Sequence, residues 1–109
     1  MRKKPEDIIR YADMFTAMGT EPRLRIMQLL LSAHPEGLVV GEIITDLGLS
    51  ASTLSHHLEK LKNENLVHVR RESTFLPHWY DRLQFDGGRA TKSFVITTLL
   101  GLGLQPSAR

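Results

Sequence analysis

Cysteine is absent from the 109-residue chain, and this absence excludes several kinds of chemistry at once. Without a thiol there is no disulfide, no thiolate nucleophile and no sulfur ligand for a soft metal ion. Long apolar runs are missing too, since no window approaches the roughly 18 apolar residues of a membrane-spanning helix. The first ten residues mix Arg2, Lys3 and Lys4 with Glu6 and Asp7, so they contain no apolar signal-peptide region. We therefore expect a cytoplasmic protein with no membrane partner.

Charge of one sign is not in large excess either. The net charge is +2 and the pI is near 9.2, values that permit nucleic-acid binding without demonstrating it. Residues 1–50 hold six Lys and Arg against seven Asp and Glu, whereas residues 51–109 hold eight against five. The mild basic excess therefore lies in the second half of the chain.

What the chain does contain is an amphipathic helical pattern over residues 50–65. At 3.6 residues per turn Leu54, Leu58 and Leu61 fall on one face, and Ser50 is a good N-cap. The opposite face has no large apolar side chain, and short hydroxyl groups crowd its first two turns. A helix with so polar a front can approach another surface closely, and we expect it to enter the major groove of DNA.

The preceding residues predict a scaffold for this helix. We expect helices over residues 5–18, from Thr20 onward, and over 41–47, followed by a tight turn at 48–50. A short helix, a glycine-containing turn and a helix with a polar front form a helix-turn-helix pattern. In the first helix, Ile9 and Met14 lie off the stripe expected to face the core. That stripe comprises Ile8, Tyr11, Ala12, Phe15 and Met18.

A β-hairpin is predicted after the polar-fronted helix. Val67 and Val69 alternate with polar residues, which is the period of a half-buried strand. We expect the second strand to begin at Phe75, with the tip at 71–74 and aromatic side chains packing on the hairpin. The prediction is an α+β, mainly α fold: a winged helix-turn-helix domain over residues 1–80, with a two-stranded β-hairpin wing over about 66–80.

Several segments together resemble the ArsR/SmtB family of bacterial winged-helix repressors, over about residues 8–76. The run into His56-His57-Leu58 is the most specific of them. The segments are Thr20-Glu21-Pro22-Arg23-Leu24-Arg25-Ile26, Val40-Gly41-Glu42-Ile43, Leu49-Ser50-Ala51-Ser52-Thr53-Leu54-Ser55-His56-His57-Leu58 and Leu66-Val67-His68-Val69-Arg70-Arg71-Glu72.

The resemblance implies a homodimer, formed partly by the first helix, that leaves double-stranded operator DNA when an inducer binds. It implies base or phosphate contacts from the polar-fronted helix and phosphate contacts from the wing. Beside them, lysines of the same helix are expected to meet phosphate. The expected DNA-binding residues are Ser52, Thr53, Ser55, His56, Lys60, Arg70 and Arg71.

Two departures from the family pattern shape the remaining expectations. Arsenic-responsive members use cysteines, and zinc- or nickel-responsive members use His on the last helix; this chain has no cysteine and no His after His78. We therefore expect no cofactor and no metal site, and the inducer stays unknown. Residues 81–109 are atypical for the family, and a dimerisation helix is expected only over about 91–100.

Other classes of function stay open at this point. A sensor with His and carboxylate metal ligands, a winged helix that binds protein instead of DNA, and a small hydrolase are the alternatives. Adjacent helical residues point about 100° apart, so His56 and His57 do not converge on one ion and Ser55 with His56 is not a catalytic dyad. We expect no enzyme, and we expect His57 to be partly buried and satisfied by a backbone group.

Overall fold

A computed structural model describes residues 5–86 and, beyond them, residues 95, 97–99, 101 and 103. Within these residues the chain forms helices around a small antiparallel sheet, as the predicted mainly α fold requires. The elements are α1 (Pro5–Met18), α2 (Glu21–Ala33), β1 (Leu38–Val39), α3 (Val40–Leu47), α4 (Ala51–Asn63), β2 (Val67–Arg70), a 3-10 helix (His78–Tyr80) and β3 (Arg82–Phe85).

The core lies where α2 meets α4 and the sheet. Leu54, Leu58 and Leu61 of α4 are buried, as their spacing predicts, and α2 contributes Ile26 and Leu30 to the same cluster. Burying one such side chain stabilises the fold by roughly 1.5–3 kcal/mol. This packing fixes which face of α4 points outward.

α1 turns a different face to the core from the one predicted. Met14, Ala17 and Met18 are buried, whereas Ile8 and Phe15 are 57% and 48% exposed. The predicted inward stripe is therefore wrong at Ile8, Ala12 and Phe15. Apolar residues surround much of this helix, so its spacing allows two stripes, and packing against α2 and α4 selects the one containing Met14.

The sheet differs from the predicted hairpin in its second strand. β2 pairs with β3, which spans residues 82–85, whereas the second strand was predicted to begin at Phe75. Pro77 has no N–H to donate a hydrogen bond between strands, and residues 78–80 form a 3-10 helix instead. β3 also pairs with β1, so the order is β1-β3-β2 and the central strand lies after residue 80. The sheet therefore extends past residue 80, where the predicted wing ends.

Two side chains after residue 86 belong to the same core. Val95 and Leu99 are helical and buried with the side chains of α1 and α2. Residues 97 and 98 are helical too, whereas residues 91–94, 96 and 100 of the expected helix lie outside the described residues. None of the helices in the described ranges combines the length and apolar character needed to cross a bilayer.

Candidate nucleic-acid interface

The turn between α3 and α4 sets the direction of the polar-fronted helix. Gly48 ends α3 in the left-handed region, at φ 65°, and its N–H donates to the Ile44 carbonyl at 2.9 Å. Ser50 then caps α4, because its hydroxyl accepts from the Thr53 N–H at 3.2 Å. The predicted helix-turn-helix is thus present, with its N-cap at the predicted residue.

The outward face of α4 presents polar side chains to solvent. Ser52 and His56 are exposed on the side opposite the buried leucines. Thr53 is also exposed, but its hydroxyl accepts from Ser50 Oγ at 2.9 Å and belongs to the cap. Of the predicted base-reading residues, Ser52 and His56 therefore combine exposure with a direction away from the core.

The remaining predicted residues of α4 lie on its two flanks. Ser55 lines a cleft of about 370 Å³ between α4 and the wing, together with Glu59 and Lys62. Lys60 lies on the other flank, in a cavity of about 420 Å³ that Asp13 of α1 also lines. The structure therefore brings Ser52, Ser55 and His56 to the front and wing side of the helix and places Lys60 beside α1.

His57 is half-buried, as predicted, but a side chain satisfies it instead of the expected backbone group. Arg23 Nε donates to His57 Nδ1 at 3.1 Å, and Arg23 Nη1 also donates to the Ala17 carbonyl at 3.4 Å. Burial, then the Arg23 charge and then His56, lower the pKa of His57 below its usual value. His57 therefore links α4 to α2 as a neutral acceptor. Its ring centroid lies 5.9 Å from that of His56.

Arg70 lies on the face of the sheet opposite α4. It is paired across the strands with Arg82, and both donate to one Glu72 oxygen, at 3.3 Å and 2.7 Å. The Arg82 and Arg70 hydrogen bonds hold the pKa of Glu72 below its usual value. The carboxylate thereby relieves the repulsion between two guanidinium groups placed directly opposite each other.

Arg71, the other predicted wing residue, also has a partner within the protein. Arg71 Nη1 lies 3.0 Å from His78 Nδ1, and this histidine nitrogen also lies 3.1 Å from Asp81 Oδ2. His78 and Asp81 line the helix–wing cleft as well. Both wing arginines are exposed to solvent. Because each already has a partner within the protein, a phosphate would have to compete with these bonds.

Sequence reasoning missed the residues that hold the wing. Asp81 is buried and Glu72 joins both strands, yet nothing in the local pattern marks either of them. Lys62 is one of the helix lysines expected to meet phosphate, but it is not among the seven named DNA-binding residues although it lines the cleft beside Ser55. Its position seven residues after Ser55, two turns along the same helix flank, is the signal that could have found it.

Two other expectations concern aromatic rings and metal ions. Phe75, Trp79 and Tyr80 do not pack on the hairpin as predicted; they are 94%, 55% and 46% exposed. The loop that contains them follows the short strand β2 and never pairs with another strand. Across the described ranges, no group of three or more His, Asp or Glu side chains could hold a metal ion.

Comparison with known proteins places this geometry in a family. Residues 20–69 match the family model described as bacterial regulatory protein, arsR family. The chain is 39% identical over 71 residues to nodulation protein NolR of Rhizobium meliloti, covering 65% of this chain and 56% of NolR. It is also 39% identical over 64 residues to an HTH-type transcriptional regulator of Methanocaldococcus jannaschii, covering 59% of this chain and 70% of the relative.

A solved structure agrees with these matches. HlyU from Vibrio cholerae has a TM-score of 0.72 at 28% identity, over 89% of this chain and 96% of that chain. By sequence, the chain spans about half the length of the curated NolR and HlyU proteins, 56% and 53%. The family consists of regulatory proteins, which confirms that no enzyme is to be expected. The chain therefore belongs to the arsR family of bacterial regulatory proteins.

Proposed function

We propose that this protein is a sequence-specific transcriptional regulator that binds double-stranded operator DNA in the cytoplasm as a homodimer. The observation that supports this most directly is the exposed polar front of α4, held by a capped helix-turn-helix beside a wing. Membership of the arsR family supports regulation of transcription through DNA. The finer assignments rest on the chemistry of individual side chains.

In this proposal Ser52 and His56 meet base edges in the major groove. A hydroxyl both donates and accepts, and an imidazole can do either at each nitrogen, so both fit the polar pattern of base edges. Ser55 and Thr53 are close enough to the helix start to meet phosphate, where the positive helix end assists. Lys62 and Arg71 flank the cleft and supply the non-specific attraction to the backbone.

The homodimer is proposed from the outer face of α1. Ile8 and Ile9 are 57% and 63% exposed, and Phe15 is 48% exposed on the same helix. Large apolar groups concentrated on one helix favour burial against a partner surface. A two-fold dimer would place two copies of α4 about one helical turn of DNA apart, roughly 34 Å, on an imperfect palindrome.

We further propose repression relieved by an unidentified inducer, which follows from the family resemblance. A dimer seated over a promoter blocks polymerase by occupancy alone and needs no further activity. The HlyU relative is named a transcriptional activator, so the sign of regulation needs its own assay. Transcription from the bound promoter in vitro, with and without the protein, distinguishes repression from activation.

The central test is binding to the DNA upstream of the protein's own gene, measured by fluorescence anisotropy against a random duplex of equal length. We expect saturable, salt-sensitive binding that the double variant Ser52→Ala/His56→Ala loses. Thr16→Ala removes an exposed hydroxyl of α1 that bonds only within its own helix and should bind normally. Equal affinity for random DNA would contradict sequence-specific binding.

A second candidate function is a winged-helix module that binds protein. It is favoured by the exposed rings of Phe75, Trp79 and Tyr80 on the wing loop. The anisotropy assay separates the two, because an interaction module would show no preference for the upstream DNA. The binding of a protein partner would then depend on these rings and not on Ser52 and His56.

A further inference from the structure

One nitrogen of His78 lies within hydrogen-bond distance of both a donor and an acceptor. Arg71 Nη1 lies 3.0 Å from His78 Nδ1, and Asp81 Oδ2 lies 3.1 Å from the same atom. A guanidinium only donates and a carboxylate only accepts, while a ring nitrogen carries either a lone pair or a proton. The two hydrogen bonds therefore exclude each other.

Asp81 is the fixed member of this set. Its N–H donates to the His78 carbonyl at 2.9 Å, and its carbonyl accepts from the Val40 N–H at 2.9 Å. Asp81 is 5% exposed, and within the described residues His78 is the only hydrogen-bond donor to its carboxylate. Arg71 by contrast is exposed, so Arg71 is the group that is free to leave.

We propose that His78 is a positioning residue that decides whether Arg71 is available to DNA. With a lone pair at Nδ1, His78 accepts from Arg71 and holds the guanidinium against the base of the wing. When the ring is protonated, both of its nitrogens carry protons, so Nδ1 donates to Asp81 and repels Arg71, which is then free to meet a phosphate. This inference rests on the proposed DNA binding and adds a pH dependence to it.

The groups around His78 set the direction of this exchange. The buried Asp81 carboxylate and Glu59 of α4 favour the protonated ring, whereas Arg71 and Lys62 oppose it. From α3 the apolar Val40 lines the same cleft and adds no charge.

The test compares two neighbouring arginine variants of the full chain. Arg71→Gln removes the group that His78 positions, and Arg70→Gln removes an arginine bonded to Glu72 instead. Affinity for the upstream duplex is measured by anisotropy between pH 5.5 and 8 at several salt concentrations. Because the rest of the chain is identical in the two variants, pH effects from other residues cancel in the comparison.

We expect the salt dependence of wild-type and Arg70→Gln binding to steepen by about one unit per protomer at the acid end of this range. In Arg71→Gln that steepening should disappear. If Arg71→Gln keeps the same pH-dependent gain as Arg70→Gln, His78 does not act through Arg71 and the inference is overturned. Failure of every variant to bind at any pH would overturn the proposed function along with it.

A second measurement needs no DNA. The nitrogen NMR shifts of His78 report whether Nδ1 carries a proton, and we expect it to be unprotonated at pH 8 and protonated at the acid end. Asp81→Asn removes the carboxylate acceptor and should favour the lone pair at Nδ1, whereas Arg71→Gln removes the competing donor and should favour the proton there. Nitrogen shifts unchanged by both variants, or a protonated Nδ1 at pH 8, would overturn the proposed exchange.

Discussion

At the scale of single residues, the bond between Arg23 and His57 links α4 to α2. The bond requires a lone pair at His57 Nδ1, so protonation removes the acceptor and places two cations side by side. Burial and Arg23 accordingly lower the pKa of His57 from its ordinary value of 6.5. A lowered pKa means that the unfolded chain binds the proton more readily than the folded chain does.

The expected result is a loss of folding stability in mild acid. His57 contributes its full stability above pH 6.5, and this contribution is lost as the pH falls through the lowered folded pKa. Urea unfolding at a series of pH values measures it. His57→Gln keeps an acceptor for Arg23 without a titrating ring, so its stability should fall less over the same range. Parallel curves for the two proteins would contradict this role.

Glu72 allows a second prediction at this scale, because it restrains Arg70, one of the residues that the sequence predicts to bind DNA. Glu72→Gln removes a negative charge beside the DNA and weakens the bond that holds Arg70. We expect tighter binding to the upstream duplex, with the salt dependence steeper by up to about one unit. Glu36→Gln removes an equal charge near Arg70 without such a bond and is the control. Equal effects from both variants would mean that only net charge matters.

At the scale of elements, two glycines test how turns position the motif. Gly37 and Gly48 both have positive φ, 82° and 65°. A Cβ on Gly37 would lie 2.1 Å from the Leu83 carbonyl oxygen of β3, whereas a Cβ on Gly48 would meet nothing within 4 Å. Gly37 therefore permits the close approach of the α2–β1 loop to the central strand.

The two alanine variants should accordingly differ in stability. Gly48→Ala adds only left-handed backbone strain, about 1–2 kcal/mol. Gly37→Ala adds the same strain and a backbone collision, so it should lower the free energy of unfolding by clearly more, or prevent folding. Chemical denaturation of both variants measures the difference. Equal losses would show that the loop and β3 are not in such close contact.

The same elements show what local sequence could predict. α4 was predictable because its cap at Ser50 and its leucine spacing are contained within one short segment. The second wing strand was not, because its partner is set by pairing with β2 and β1 across a loop that no local period describes. Likewise the spacing of α1 allowed two apolar stripes, and only packing against α2 and α4 determined which was buried.

The same difference between local and long-range features applies to the candidate site. Exposure of Ser52 and His56 followed from the opposite, leucine-rich face of their own helix. The partners of Arg70, Arg71 and His57 came from elsewhere in the fold, and a list of residues cannot show which charges are already paired. The helix pattern therefore predicts which side chains of α4 are exposed, but not which arginines are restrained.

At the scale of the whole molecule, the proposed dimer explains why α1 exposes large apolar groups. A stable interface removes about 800 Å² from solvent on each partner, more than isolated surface side chains provide. Ile8 and Ile9 lie at the start of α1, where a second copy could cover both. Pairing doubles the number of phosphate contacts, so affinity for an operator should depend on this face although it touches no DNA.

Ile8→Glu is the variant that tests this dependence. Ile8 is 57% exposed, so glutamate should leave the folded monomer intact while placing a charge in the apolar interface. We expect a monomer by sedimentation velocity and at least tenfold weaker binding to a duplex that contains both half-sites. Affinity for a duplex with a single half-site should change little. Phe75→Glu, at a 94% exposed wing position, should remain dimeric. A dimeric Ile8→Glu protein with wild-type affinity would place the dimer interface on another surface.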